Sequence, residues 1–326
     1  MTRPPQARAL ELVNLELDRL LAVPDAALES GCGGGVLGRQ PVHTACVPAH
    51  KFAHDTVAQW GAQAVAALEK FAPEPDEFAD ATGIDPGLAA EVRPLVLAKL
   101  ATQPVEDLRI DFEDGYGTRG DDTEDAHARA AARSLSAVLS HESAPAFVGL
   151  RCTSLEKDTR SRAARTLHTF LSALLENGRP LPPGFVITLP KVTSAAQVSA
   201  MAVLCERLET ACAIGAPWGL KFEIQVETPQ AILGADGAAT IAQCVHAGRD
   251  RLIGLHYGTY DYSAALGIAA PYQSLEHPAA DHAKAVMQVA AAGTGVRLSD
   301  GSTNVLPVGE RDEVVAAWQL HSRLVR

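Results

Sequence analysis

From residue 40 onward the chain alternates short apolar runs with longer, Ala-rich stretches of helical spacing. The short runs at 42–47, 106–112, 147–152, 185–189, 220–226, 252–257 and 296–298 predict strands. The stretches 56–71, 86–100, 123–140, 157–177, 194–210, 229–247, 278–292 and 310–326 predict helices. Thr228 followed by Pro229 reads as an N-cap with proline at the first helical position. Gly178, Gly248 and Gly293 follow predicted helix ends, where a left-handed residue is favoured. The N-terminal stretch has polar positions throughout and reads as an amphipathic helix without the apolar core of a signal peptide. A Gly-rich segment at 31–41 connects it to the rest. That segment lacks the strand-before, helix-after context of a dinucleotide loop, and no Gly-Lys-Ser/Thr follows, so phosphate binding is not expected there.

Regular strand–helix alternation implies a parallel sheet with helical crossovers. Polarity within the strands separates an open sheet from a closed one. Leu108, Ile110 and Phe112 share one face of the second strand, and Arg109, Asp111 and Glu113 share the other. In the fifth strand Phe222, Ile224 and Val226 oppose Glu223, Gln225 and Glu227. Strands of an open parallel sheet are apolar on both faces, because helices cover both. A charged inward face fits the interior of a barrel near its mouth. The expected fold is therefore an α/β (β/α)8 TIM barrel over 41–326, with an N-terminal helical arm and connector over 1–40. Seven strands are visible and the last predicted helix runs to the end of the sequence, so the eighth strand is expected to be lacking or incomplete.

Composition narrows the function classes. The 326 residues carry a net charge of −11, which disfavours a binder of the nucleic-acid backbone. No apolar run approaches the ~18–20 residues that span a bilayer, so a cytoplasmic protein without membrane partners is expected. The six cysteines, Cys32, Cys46, Cys152, Cys205, Cys212 and Cys244, form no CxxC pair or zinc-finger spacing and read mostly as buried, reduced thiols.

Candidate chemistry gathers at predicted strand ends, where barrel active sites lie. Ile110–Gly120 crowds Asp111, Glu113 and Asp114, and charge so concentrated calls for a cation, a metal or a proton. Asp121, Asp122, Glu124 and Asp125 read instead as helix N-terminal acids. Glu227 ends the fifth strand and Asp261 lies just beyond the sixth; adjacent strands could bring them to one hard cation, Mg²⁺ or Mn²⁺. Arg151 ends the third strand and can clamp a carboxylate, or else pair with Asp111 or Glu113. Lys191 ends the fourth and reads as an anion contact or a salt bridge. His43, His50, His54 and His256 sit on or near strand ends as structural groups or substrate hydrogen-bonders. No nucleophile elbow or Cys–His pattern supports acyl transfer.

In order and spacing, DFEDGYG, GLR, LPKV, VET and GTYDYSAALG resemble the citrate lyase β-subunit/malyl-CoA lyase family, within the HpcH/HpaI aldolase superfamily. The resemblance spans about Ala45 to Gly309. It implies a (β/α)8 barrel using Mg²⁺ to cleave or form a carbon–carbon bond beside a carboxylate-bearing carbonyl. Glu227 and Asp261 would be metal ligands, and Arg151 would hold the substrate carboxylate or carbonyl oxygen. Glu113 and Asp114 would position metal-bound water or substrate. The family's usual tail strand with an H-P-x-Q motif has no counterpart here.

The implied function is a Mg²⁺-dependent carbon–carbon lyase or aldolase acting on a small 2-oxo or hydroxy-acyl acid, free or as its acyl-CoA. Lys191 and His256 join Arg151 as substrate contacts. Asp111, Glu113 and metal-bound hydroxide all remain candidates for the base. The competing expectation is a non-catalytic barrel that binds a small organic acid or serves as an accessory subunit. An open barrel edge, with the family resemblance, points to a homo-oligomer.

Overall fold

The computed structural model describes residues 5–31, 38–215, 219–303 and 305–324. Cys32 and most of the Gly-rich connector lie outside them. The described elements are α1 (Pro5–Gly31), β1 (Thr44–Pro48), α2 (Thr56–Phe71), α3 (Pro75–Thr82), α4 (Pro86–Thr102), β2 (Asp107–Asp111), α5 (Asp121–Val138), β3 (Phe147–Arg151), α6 (Arg160–Leu174), β4 (Phe185–Leu189), α7 (Ala195–Ala211), β5 (Lys221–Val226), α8 (Pro229–Ile232), α9 (Thr240–Ala247), β6 (Leu252–Tyr257), α10 (Thr259–Ala265), α11 (Pro278–Ala291), β7 (Arg297–Ser299) and α12 (Arg311–Leu324). The seven strands form one parallel sheet in chain order, β1 to β7. Among the described residues no eighth strand joins β7 to β1.

The sheet is curled, and its side chains show why. Arg109 on β2 donates from Nε to Glu223 Oε1 on β5 at 2.9 Å and from Nη2 to Oε2 at 3.1 Å. On a flat sheet three strand spacings would hold these residues about 14 Å apart. The inward faces of β2 and β5 therefore look at each other across a lumen. Gly149 of β3 also faces inward; a Cβ there would stand 2.0 Å from Val186 O and 3.1 Å from Arg109 Cδ. Glycine lets the arginine cross.

Outward faces build the core. Leu108, Ile110, Leu150, Ile187, Phe222, Ile224 and Leu255 are fully buried against the surrounding helices. A satellite core forms where α12 packs on α2 and α3 through Leu68, Phe78, Val315 and Trp318, with Trp318 edge-on to Phe71 at 6.2 Å. Glu106 ties the start of β2 to the entry of β1, accepting from Val42 N at 2.6 Å and from Arg39 Nη2 at 2.9 Å. The acids opening α5 meet α6. Arg165 bonds Asp121 at 2.7 Å and Asp125 at 3.0 Å, and buried Glu124 accepts from Thr166 Oγ1 at 2.5 Å. These are structural clamps.

Four expectations are corrected. The predicted 229–247 helix is two, α8 and α9, broken where Gly237 turns at φ 77°. Helix α3 was not predicted; a capping box between Glu74 and Glu77, with Pro75 at the first position, starts it. The segment just beyond β6 that carries Asp261, to which no helix was assigned, forms α10. Gly248 is right-handed at φ −72°, and its role is space: a Cβ there would lie 2.3 Å from Leu252 Cβ. Of the described cysteines Cys152, Cys205 and Cys244 are buried, whereas Cys46 is exposed. No described helix is long and apolar enough to cross a membrane. The apolar side chains of α1 from Leu10 to Val23 are exposed.

Candidate active site

The polar groups of the lumen lie in layers. The deepest holds Arg109, hydrogen-bonded to Asp107, Glu223 and Thr188, with His256 Nε2 2.8 Å from Glu223 Oε2. Burial would raise the Glu223 carboxyl, but Arg109 and His256 hold it well below its usual range. Every charge in this layer has a partner, which buried charges require. His256 thus turns to Glu223.

Above it Arg151 and Asp111, register partners on β3 and β2, form a fork. Arg151 Nε donates to Oδ1 at 2.6 Å and Nη2 to Oδ2 at 2.7 Å. Asp111 also accepts from the backbone N–H groups of Glu113 at 2.9 Å and Gly115 at 3.0 Å. Four hydrogen bonds saturate this buried carboxylate, so it organises Arg151 and the turn after β2. Arg151 Nη1 donates to Gln225 Oε1 at 3.1 Å and stands 3.5 Å from Asp114 Oδ2.

The top layer is acidic. One oxygen each of Asp114, Glu227 and Asp261 lies within 4.8 Å of the others. They come from the β2–α5 turn, the end of β5 and the first turn of α10. Glu227 is oriented from below by one hydrogen bond to each oxygen, accepting from Lys191 N at 2.7 Å and from Gln225 Nε2 at 2.8 Å. Burial, with Asp261 adding repulsion, pushes its pKa up to about 7, against the pull of Lys191. Burial and neighbouring Asp114 raise the Glu113 carboxyl well above the usual range. Asp114 moves the other way: against burial, the hydrogen bond with Glu113 and the cations Arg151 and Lys191 hold it down. Such a split pair keeps a proton on one carboxyl beside an ionised one.

Lys191 stands inside this ring. Its Nζ hydrogen-bonds Asp261 and lies 3.4 Å from Asp114 Oδ1, 3.7 Å from Glu227 Oε2 and 3.9 Å from Glu113 Oε1. Its backbone is left-handed, at φ 54°. Against burial that would lower it, these carboxylates hold the ammonium above its ordinary pKa.

The structure thus gathers Asp111, Glu113, Asp114, Arg151, Lys191, Glu227 and Asp261 at one mouth, and sets His256 a layer deeper. Sequence reasoning missed Gln225, although its inward position between Glu223 and Glu227 was a usable signal. The top layer suits a hard divalent cation: its donors are all carboxylate oxygens from three separate segments.

Residues 21–326 match a family described as "Domain of unknown function (DUF6986)". The chain belongs to that family. In architecture the DUF6986 chain is similar to a citrate lyase from Burkholderia xenovorans LB400, with a TM-score of 0.50 and 19% identity over 70% of this chain and 73% of that one. A malate synthase from Haloferax volcanii aligns with a TM-score of 0.46 and 16% identity, over 68% of this chain and 61% of that one. An HpcH/HpaI aldolase/citrate lyase family protein from Burkholderia cenocepacia J2315 gives 0.39 and 15%, over 65% and 74%. No curated protein matches the DUF6986 chain in sequence. At these identities the likeness is one of fold.

Proposed function

We propose that this chain is a divalent-metal-dependent lyase or aldolase that breaks or forms a carbon–carbon bond in a small carboxylate-bearing 2-oxo or 3-hydroxy acid, free or as a thioester. One observation carries the reading: Asp114, Glu227 and Asp261 converge beside the Arg151 guanidinium at the strand ends. Asp114, Glu227 and Asp261 would hold Mg²⁺ or Mn²⁺. When bound, such an ion supplies Lewis-acid polarisation of the substrate carbonyl.

The chain's own residues account for the rest. Arg151 has five N–H donors; the bonds to Asp111 and Gln225 use three. The remaining two can hold the substrate carboxylate or the oxygen on which charge develops. Because Asp111 fixes the guanidinium plane, those donors are oriented before substrate arrives. Glu113, protonated near neutrality and paired with ionised Asp114, is the group suited to exchange a proton with the substrate. Asp111 is too fully bonded for that role; Glu113, which carries its proton at rest, would serve as the acid that returns a proton to the substrate carbanion or enolate.

The test is a panel of 2-oxo acids, 3-hydroxy acids and their thioesters, assayed with Mg²⁺ or Mn²⁺ and followed by product analysis. Turnover by the native chain that Glu227→Ala abolishes is the expected result. Full activity in Glu227→Ala rejects the site. No turnover and no metal binding would favour the barrel as a binder of organic acids.

A further inference from the structure

The Lys191 ammonium occupies the space that the proposed metal site would offer to an ion. It bonds Asp261 and lies 3.4 and 3.7 Å from Asp114 and Glu227, the same three residues whose oxygens converge. An ion bonded to those oxygens and an ammonium hydrogen-bonded to them would stand in contact, and two cations repel strongly at that range. The two occupants therefore exclude each other.

The anchoring of Lys191 makes exchange feasible. Its backbone is held hard: the N–H is bound to Glu227 Oε1 at 2.7 Å and φ is 54°. The polar contacts of the side chain are all made by its head group, at the end of a stem of four methylenes, and the side chain is 23% exposed at the mouth. The head group can leave while the backbone bond that orients Glu227 stays made.

We propose that Lys191 is a tethered counter-ion, which fills the carboxylate ring in the unliganded chain and withdraws to admit a divalent ion. Resting on the metal reading above, this makes Lys191 a determinant of metal affinity. A chain whose binding-competent state is a minor population binds with an affinity reduced by that fraction. Lysine neutralises the ring before metal arrives and weakens the metal's hold on it.

The experiment titrates Mn²⁺ into the full-length native chain, Lys191→Met and Glu227→Gln, by calorimetry and by electron paramagnetic resonance. Met keeps an unbranched stem and leaves the backbone N–H in place. Lys191→Met is expected to bind Mn²⁺ about ten-fold more tightly or better, as when a competent state populated to roughly a tenth becomes the whole population. Glu227→Gln, alone or combined with Lys191→Met, should abolish binding, which locates the ion. Equal or weaker binding by Lys191→Met overturns the counter-ion while leaving the metal reading intact. Binding by neither the native chain nor Lys191→Met overturns both.

Because Lys191→Met leaves the ring unbalanced, at a cost to folding without metal, a second measurement uses the native chain alone. Acetic anhydride labelling, read by mass spectrometry, should modify Lys191 faster with saturating Mn²⁺ than without it. Unchanged or slower labelling overturns withdrawal.

Discussion

Arg151 and Asp111 face each other on neighbouring strands and share two parallel hydrogen bonds of 2.6 and 2.7 Å at the floor of the site. Both are buried. Removing one partner strands the other's charge, a loss of about 3–5 kcal/mol for buried pairs. Asp111→Ala should lose stability on that scale in urea unfolding. Arg151→Lys should keep the charge, lose the fork, and fall between the two.

Gln225 reads two neighbours at once, accepting from Arg151 and donating to Glu227. Partners that orient a ligating carboxylate affect metal affinity by about 10–100-fold when replaced. Gln225→Leu should weaken Mg²⁺ binding by that order in calorimetry. A Gln225→Leu chain with native affinity would show the bridge to be incidental.

Gly258 follows β6 directly beneath Glu227. A Cβ there would stand 2.5 Å from Glu227 Cβ and 3.0 Å from Oε2, while the Gly258 N–H bonds Val226 O at 2.9 Å. Neither backbone can yield without breaking the β5–β6 ladder. Gly258→Ala should displace the Glu227 carboxylate, abolishing metal binding, and lower the melting temperature. Retained binding would mean that the strand end adapts.

Glu106 sets the acid limb of stability. Burial would raise its carboxyl, but Lys99, the Val42 N–H and Arg39 lower it from 4.5 to about 2. A carboxyl depressed on folding stabilises the chain above its unfolded value and loses that contribution as pH falls through the folded one. Its partners Lys99 and Arg39 are half-exposed, which moderates the effect. Glu106→Gln should cost about 1–3 kcal/mol at pH 7. The gap from the native chain should close between pH 4.5 and about 2, as followed by circular dichroism melts.

Local pattern sufficed for the strands. Six of the seven expected strands overlap β1 to β6 with ends within two residues, and the last overlaps β7 at Arg297 and Leu298. A two-residue period registers directly which face is buried. Inward polarity at Arg109, Asp111, Glu223 and Glu227 likewise disclosed a lumen, since helix-covered faces do not tolerate unpaired charge. Less legible were short helices whose signals are caps: α3 rests on Glu74 and Glu77, too few residues for periodicity to register.

Tertiary curvature decided which acids meet. Asp111 and Asp114 are three residues apart, yet one is locked to Arg151 deep in the lumen and the other rises to Glu227 and Asp261. No spacing rule separates them, because the turn at Gly115 and the curl of the sheet set their heights. The same curl brings Lys191, 70 residues from Asp261, into the ring. Chain order along the strands is written in local hydrophobicity. Distances across a lumen depend on how all seven strands twist together, and that is a property of the folded sheet alone.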